Sequence, residues 1–193
     1  MTEYVSKGAT ISKCGRYRYR LWREWRGTHD RKNWRWLTDS RGRVEKDGAG
    51  FDLGEPLACT FIMLNPSTAD GSQDDATIRK CVSFAKRWKY ERLEVVNLFA
   101  FRATDPKALL ALNHSDDPVG PDNLDHVEQA TLSTRCGLVV AAWGVHGRHL
   151  EQHQQVWGWT GRDHLLALGF TKAGDPRHPL YVRGDVELQE YRP

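Results

Sequence analysis

Three short segments hold side chains able to do chemistry from fixed positions. The first is Met63-Leu64-Asn65-Pro66-Ser67-Thr68-Ala69-Asp70. Pro66 restricts the residue before it and cannot continue a strand ladder, so the chain must turn there. The turn projects the Asn65 amide, which both donates and accepts. Two uses fit that amide: satisfying the backbone of its own turn, or meeting a ligand. The second segment is Asp175-Pro176-Arg177-His178-Pro179-Leu180. Prolines on both sides stiffen this loop, so His178 is either a plain surface residue or an imidazole held ready for a ligand. The third is Glu94-Val95-Val96-Asn97-Leu98-Phe99-Ala100-Phe101-Arg102. Asn97 ends an apolar run, and its two-sided amide suits the edge of a heterocycle. Arg102 suits a phosphate, or pairs with the nearby Asp105.

The elements around these segments can be read from periodicity. Residues 57–64 and 93–99 form nearly continuous apolar runs, as central strands buried on both faces do. Between them, residues 77–88 place Ile78, Val82 and Ala85 on one helical face. Residues 122–135 read as a helix and 137–143 as a third strand. The polar stretch after Gly147 reads as partly helical. Residues 165–170 fit a strand or a helix end, and 179–182 a short extended piece. Strands alternating with helices predict a parallel sheet covered on both faces, with ligands beyond the carboxyl ends of its strands. Residues 65–68, 97–99 and 143–144 fall at those ends.

Charge is distributed unevenly. The net charge of +3 divides into +7 over residues 1–50 and −4 over the rest. Arginines alternate with aromatics in Tyr17-Arg18-Tyr19-Arg20-Leu21-Trp22-Arg23. Period-two alternation predicts an amphipathic hairpin from strands at 15–26 and 33–38. Arg18, Arg20 and Arg23 would then be offered to a phosphate backbone. No apolar run approaches the length of a membrane span, and the N-terminus lacks an apolar signal core, so a cytoplasmic protein away from membranes is expected. Cys14, Cys59, Cys81 and Cys136 form no CxxC pair and read as reduced thiols. His146, His149 and His153 have helical spacing but read as a solvated face, so no metal is expected. The sequence holds no phosphate-binding P-loop, no dinucleotide fingerprint and no nucleophile elbow, and no cofactor is expected.

Taken in order, the motifs resemble two families. Phe61 to Asp70, Asn97-Leu98-Phe99, Arg102 to Pro106, Ala142-Trp143-Gly144 and Arg177 to Tyr181 closely resemble a bacterial and phage family called domain of unknown function 1643, from about Tyr17 to Val182. The same order of motifs is similar to the uracil-DNA glycosylase superfamily. There, Leu64-Asn65-Pro66-Ser67 looks like the first motif, Asn97 like the residue that reads the pyrimidine, and Trp143-Gly144 like the end of a later strand. His178-Pro179 matches half of a final His-Pro-Ser-Pro motif.

This second resemblance implies an α/β three-layer sandwich with a central, mostly parallel four-stranded sheet, here with an added N-terminal β-hairpin. The chain would be a single domain over 1–193, with a basic hairpin and loop in 1–50 and the core in 57–182. The implied activity is a glycosylase cleaving the N-glycosidic bond of a base in DNA, with no obligate protein partner. Asn65 would hold the attacking water, and His178 would donate to the leaving base. Pro66, Ser67, Thr68, Asp70, Phe84, Asn97, Phe99, Arg102 and Trp143 would surround the base. Arg177, with the hairpin arginines, would face the DNA. Strict uracil enzymes place a Tyr where this chain has Ser67, so a modified, 5-substituted pyrimidine is the expected substrate. A non-catalytic nucleic-acid or nucleotide-binding module on the same fold is the alternative. No carboxylate stands directly beside the Asn-Pro turn.

Overall fold

The computed structural model describes residues 3–25, 36–38, 44–46, 56–67, 71–133, 136–160 and 165–192. Four strands form a parallel core: β5 (Ala58–Met63), β6 (Arg92–Asn97), β7 (Cys136–Ala141) and β8 (Leu165–Ala167). Every residue of β5 is buried, because β6 and β7 flank it and helices cover both faces. On one face lies α1 (Ala76–Arg87), which packs Ile78, Cys81, Val82, Phe84 and Ala85 against the sheet. The other face carries α2 (Pro106–Leu110), α3 (Asn123–Leu132) and α4 (Gln152–Thr160), through Leu109, Val127, Ala130 and Val156.

Among the described residues the main sheet has seven strands, not the expected four. Antiparallel strands extend the parallel core at both edges: β1 (Ser6–Ile11) and β2 (Arg18–Glu24) beyond β6, and β9 (Gln189–Tyr191) beyond β8. β3 (Trp36–Thr38) and β4 (Val44–Lys46) pair with each other in a second, two-stranded sheet. The expected hairpin also differs in its partner. β2 pairs with β1 upstream and with β6, not with the 33–38 segment. Its alternation of apolar and charged residues belongs to an interior strand, which must face helices on both sides. Of residues 179–182 only Val182 is extended: Pro179–Tyr181 is one turn of 3-10 helix, which proline at its first position favours.

The helices end where local chemistry ends them. Asp75 caps α1 by accepting from the Ile78 N–H at 2.8 Å, and Lys86 and Arg87 sit in its last turn, where the helix dipole favours cations. The chain leaving β5 passes to the α1 face, whereas those leaving β6 and β7 pass to the opposite face. Such a divergence opens crevices beside the carboxyl end of β5. Among the described residues, no helix is long and apolar enough to cross a membrane.

Candidate active site

Asn65 and Pro66 leave the carboxyl end of β5. The Asn65 Nδ2 donates to the Ala103 carbonyl at 2.9 Å, with longer contacts to the Pro66 and Phe101 carbonyls. The Ala103 N–H returns a bond to the Pro66 carbonyl at 2.9 Å. These bonds clip the loops after β5 and β6 together in both directions. They also fix the amide, whose oxygen accepts no hydrogen bond among the described residues. Ser67 is half-buried beside it. Thr68 and Asp70 lie outside the described residues.

His178 lies on the segment after β8, as the N-cap of the Pro179–Tyr181 turn. After β7 the chain turns at Gly144, whose φ of +75° suits glycine. Its N–H donates to the Pro176 carbonyl at 2.9 Å, and a Cβ there would sit 3.5 Å from the His178 Cβ. The histidine loop is thus docked onto the end of β7. The His178 Nδ1 accepts from the Leu180 N–H at 3.3 Å, so in the neutral ring the proton resides on Nε2. Burial pushes the imidazole pKa below its usual value, and the charge of Asp75 partly opposes that shift. The ring is therefore a neutral N–H donor at neutral pH. Tyr181, 79% exposed, lies 5.7 Å from it, ring to ring.

Asp75 also acts on Arg18. Burial draws the Arg18 guanidinium down to about 10, Asp75 pulls it back up, and Arg102 and Arg23 push it down. Asp75, His178, Arg18 and Arg102 thus share one electrostatic neighbourhood. Asn97 stands in register with Met63 at the end of β6, and its buried side-chain amide makes no hydrogen bond among the described residues. Arg102 reaches across to the Gly15 carbonyl at 2.9 Å, tying the β1–β2 turn to this edge.

Several expected positions lie elsewhere. Phe84, Phe99 and Trp143 are each at most 2% exposed. Phe84 stacks on Trp88, Phe99 leans on His149, and Trp143 meets Tyr191 edge-on, so all three belong to the hydrophobic core. Arg23 is fully buried, with its Nε 2.6 Å from Asp74, and Arg20 pairs with Glu94 at 3.1 Å. Arg18, Arg20 and Arg23 do not form one outward basic face. Arg177 is exposed, and its Nε donates to the Phe170 carbonyl.

Sequence reasoning missed Asp75 as a site residue, because a helix cap already accounted for it. It also missed the support behind it. Asp74 accepts from Tyr4 and Arg23, and Lys7 donates to the Ser72 carbonyl at 3.0 Å. A Cβ on Gly71 would come within 2.7 Å of the Ala9 Cβ and 2.9 Å of the Ala9 nitrogen. Backbone approaches backbone there, so β1 and β2 hold the loop that presents Asp75.

A family model described as a protein of unknown function (DUF1643) matches residues 50–180. The chain belongs to that family. No curated protein and no solved structure matches it. The DUF1643 match takes in all four parallel strands, Asn65, Asn97, Asp75, Arg102 and His178. β1, β2 and β9 lie outside it, so the antiparallel strands that widen the sheet, and Arg18 with them, are additions to the matched region.

Proposed function

We propose that this DUF1643 protein is a DNA glycosylase-like enzyme that cleaves the N-glycosidic bond of a modified pyrimidine. The observation that carries the reading is the state of His178: a neutral imidazole, its Nδ1 occupied by a backbone N–H, its Nε2–H without an acceptor among the described residues. Breaking the bond places negative charge on the base, and a fixed donor at the base's carbonyl oxygen stabilises that charge as it forms. Asn65, with its Nδ2 anchored on backbone carbonyls, turns its oxygen towards a water beneath the sugar. The Asp75 carboxylate offsets positive charge developing on the sugar. Asn97 reads the base edge. Tyr181 offers a flat ring to a neighbouring base, and Arg177 a cation to the backbone. The target base must leave the stack to reach these groups. With Phe84, Phe99 and Trp143 packed in the core, Ser67 leaves room for a polar substituent at position five of the ring.

The test is a panel of oligonucleotides bearing uracil, thymine, 5-hydroxymethyluracil and other 5-substituted pyrimidines, scored for abasic sites with wild type, Asn65→Ala and His178→Ala. Release from a 5-substituted base that both variants lose supports the reading. Release that persists undiminished in both variants overturns the residue assignment.

The anchoring of Asn65 favours a second reading, a nucleic-acid-binding module without chemistry, since a wholly structural amide would make the same bonds to Ala103. Binding of the same oligonucleotides with no release from any of them would select it.

A further inference from the structure

Asn97 is 2% exposed, and its side-chain amide makes no hydrogen bond among the described residues. The direction of that amide therefore depends on how firmly its own backbone is held. Strand pairing holds it on one side, through Met63 of β5. On the other side β2 pairs with β6 from Arg92 to Val95 and meets the chain again at Ala100 and Phe101. Between those two contacts a side chain takes over. Asn123, the first residue of α3, is fully buried, and its Nδ2 donates to the Asn97 carbonyl at 3.0 Å and to the Leu98 carbonyl at 3.3 Å. Both acceptors are carbonyls, so the nitrogen must be the end of the amide that faces them, and both of its N–H groups are used.

The loop before α3 delivers Asn123 to that place. The Val119 and Pro118 carbonyls accept from the Ala100 and Phe101 N–H groups at 2.9 Å and 3.1 Å, which docks the loop on the chain leaving β6. Gly120 then turns with a φ of +90°, and a Cβ there would sit 3.0 Å from the Tyr17 Cδ1, so both its conformation and its surroundings call for glycine. We propose that Asn123 is a positioning residue for Asn97: by holding two successive carbonyls at the end of β6, it sets the direction of the amide that meets the base. The proposal rests on the glycosylase reading for what Asn97 does, and on these hydrogen bonds for how Asn97 is held.

NMR three-bond couplings to the Asn97 Cγ report its χ1 rotamer and test the positioning directly. Wild type should show one rotamer. Asn123→Leu, which keeps the volume and loses both donors, should show averaging between rotamers. Its base release should fall at least about tenfold, since misplacing a group by about 1 Å can cost about 10²-fold. In an Asn97→Ala background the same substitution should cost nothing further in release, although it lowers the urea midpoint in both backgrounds. An asparagine that served only the fold would lower release equally in the two. If Asn123→Leu does not fold, Asn123→Asp, with the same shape and no amide donors, takes its place. Averaged couplings in wild type, a single Asn97 rotamer in a folded Asn123 variant, or an equal further loss of release in the Asn97→Ala background would each overturn the proposal. If wild type releases no base from any oligonucleotide, the glycosylase reading falls by itself, and the couplings still decide whether Asn123 holds Asn97.

Discussion

Arg18 and Arg20 stand two residues apart on β2, yet they serve opposite ends of the sheet. The register of β1 against β2 slips between Thr10 and Ile11, so Tyr19 is the extra residue of a bulge. The bulge turns Arg18 towards Asp75 and leaves Arg20 over Glu94. At the carboxyl end, the amide and imidazole are held by backbone: Asn65 by the Ala103 carbonyl, His178 by the Leu180 N–H. In the proposed reaction each uses its second atom: the Asn65 oxygen and the His178 Nε2–H. At the amino end, the charged side chains hold one another in the Arg20–Glu94–Arg92–Glu24 chain. Anchoring to backbone fixes a group's direction without neutralising it, whereas mutual pairing removes most of the charge from use. That is why the proposed reaction draws on the first end and not on the second.

The largest expected effect tests whether β2 supports the carboxyl end. Arg23→Ala removes a fully buried cation from Asp74 and leaves the carboxylate partly buried without it. Breaking such a pair typically costs about 3–5 kcal/mol, and urea denaturation should show a loss of that size. Release of base should fall in parallel, because Asp74 precedes Asp75. A loss below about 0.5 kcal/mol would mean that β2 does not hold the loop.

The next effect is kinetic. His178→Ala should lower the rate of base release by roughly 10²–10³ while the fold persists, the expected consequence of removing one preorganised donor. A smaller drop than tenfold would move the leaving-group role to another residue. Gly71→Ala comes third. Its methyl group would press on the Ala9 backbone, and overpacking of this kind costs about 1–3 kcal/mol. If the variant is as stable as wild type, β1 can shift away and the support is looser than its geometry implies.

Much of the parallel core could be read because its signals are local. Residues 57–64 and 93–99 are continuous apolar runs, and residues 77–88 have one apolar face. The observed β5, β6 and α1 fall within a residue or two of them. The edges could not be read that way. Ser6–Ile11 carries Lys7, Gly8 and Thr10, and Gln189–Tyr191 is three residues long, so neither has a pattern that survives without its neighbour. The arginines of β2 misled for a related reason. Period two shows that residues alternate between faces, but not that both faces are covered, and Arg23 is buried by an ion pair to a residue 51 positions away. At the site, Asn65 and His178 stood out because proline marks their loops. Asp75 did not, since its partners Arg18 and His178 lie far from it in the chain.

The smallest effect is a shift in titration, and it examines the carboxyl end most directly. Burial lowers the His178 pKa, while Asp75 raises it against that trend. In wild type, NMR titration should therefore place His178 below the ordinary value of about 6.5. Asp75→Asn removes the opposing charge, so it should move His178 lower still. The sign carries into stability. A histidine whose folded-state pKa is depressed binds its proton more readily when unfolded, so the folded state is favoured above about pH 6.5 and loses ground as pH falls through the folded pKa. His126 and His153 are lowered by burial as well and add to the same acid-side loss. His178→Gln should remove only the His178 share, flattening the dependence in acid without abolishing it. An unmoved His178 titration in Asp75→Asn would separate the two groups and withdraw Asp75 from the site. A His178 pKa well above about 7 would make the ring a cation at neutral pH and undo the neutral-donor reading.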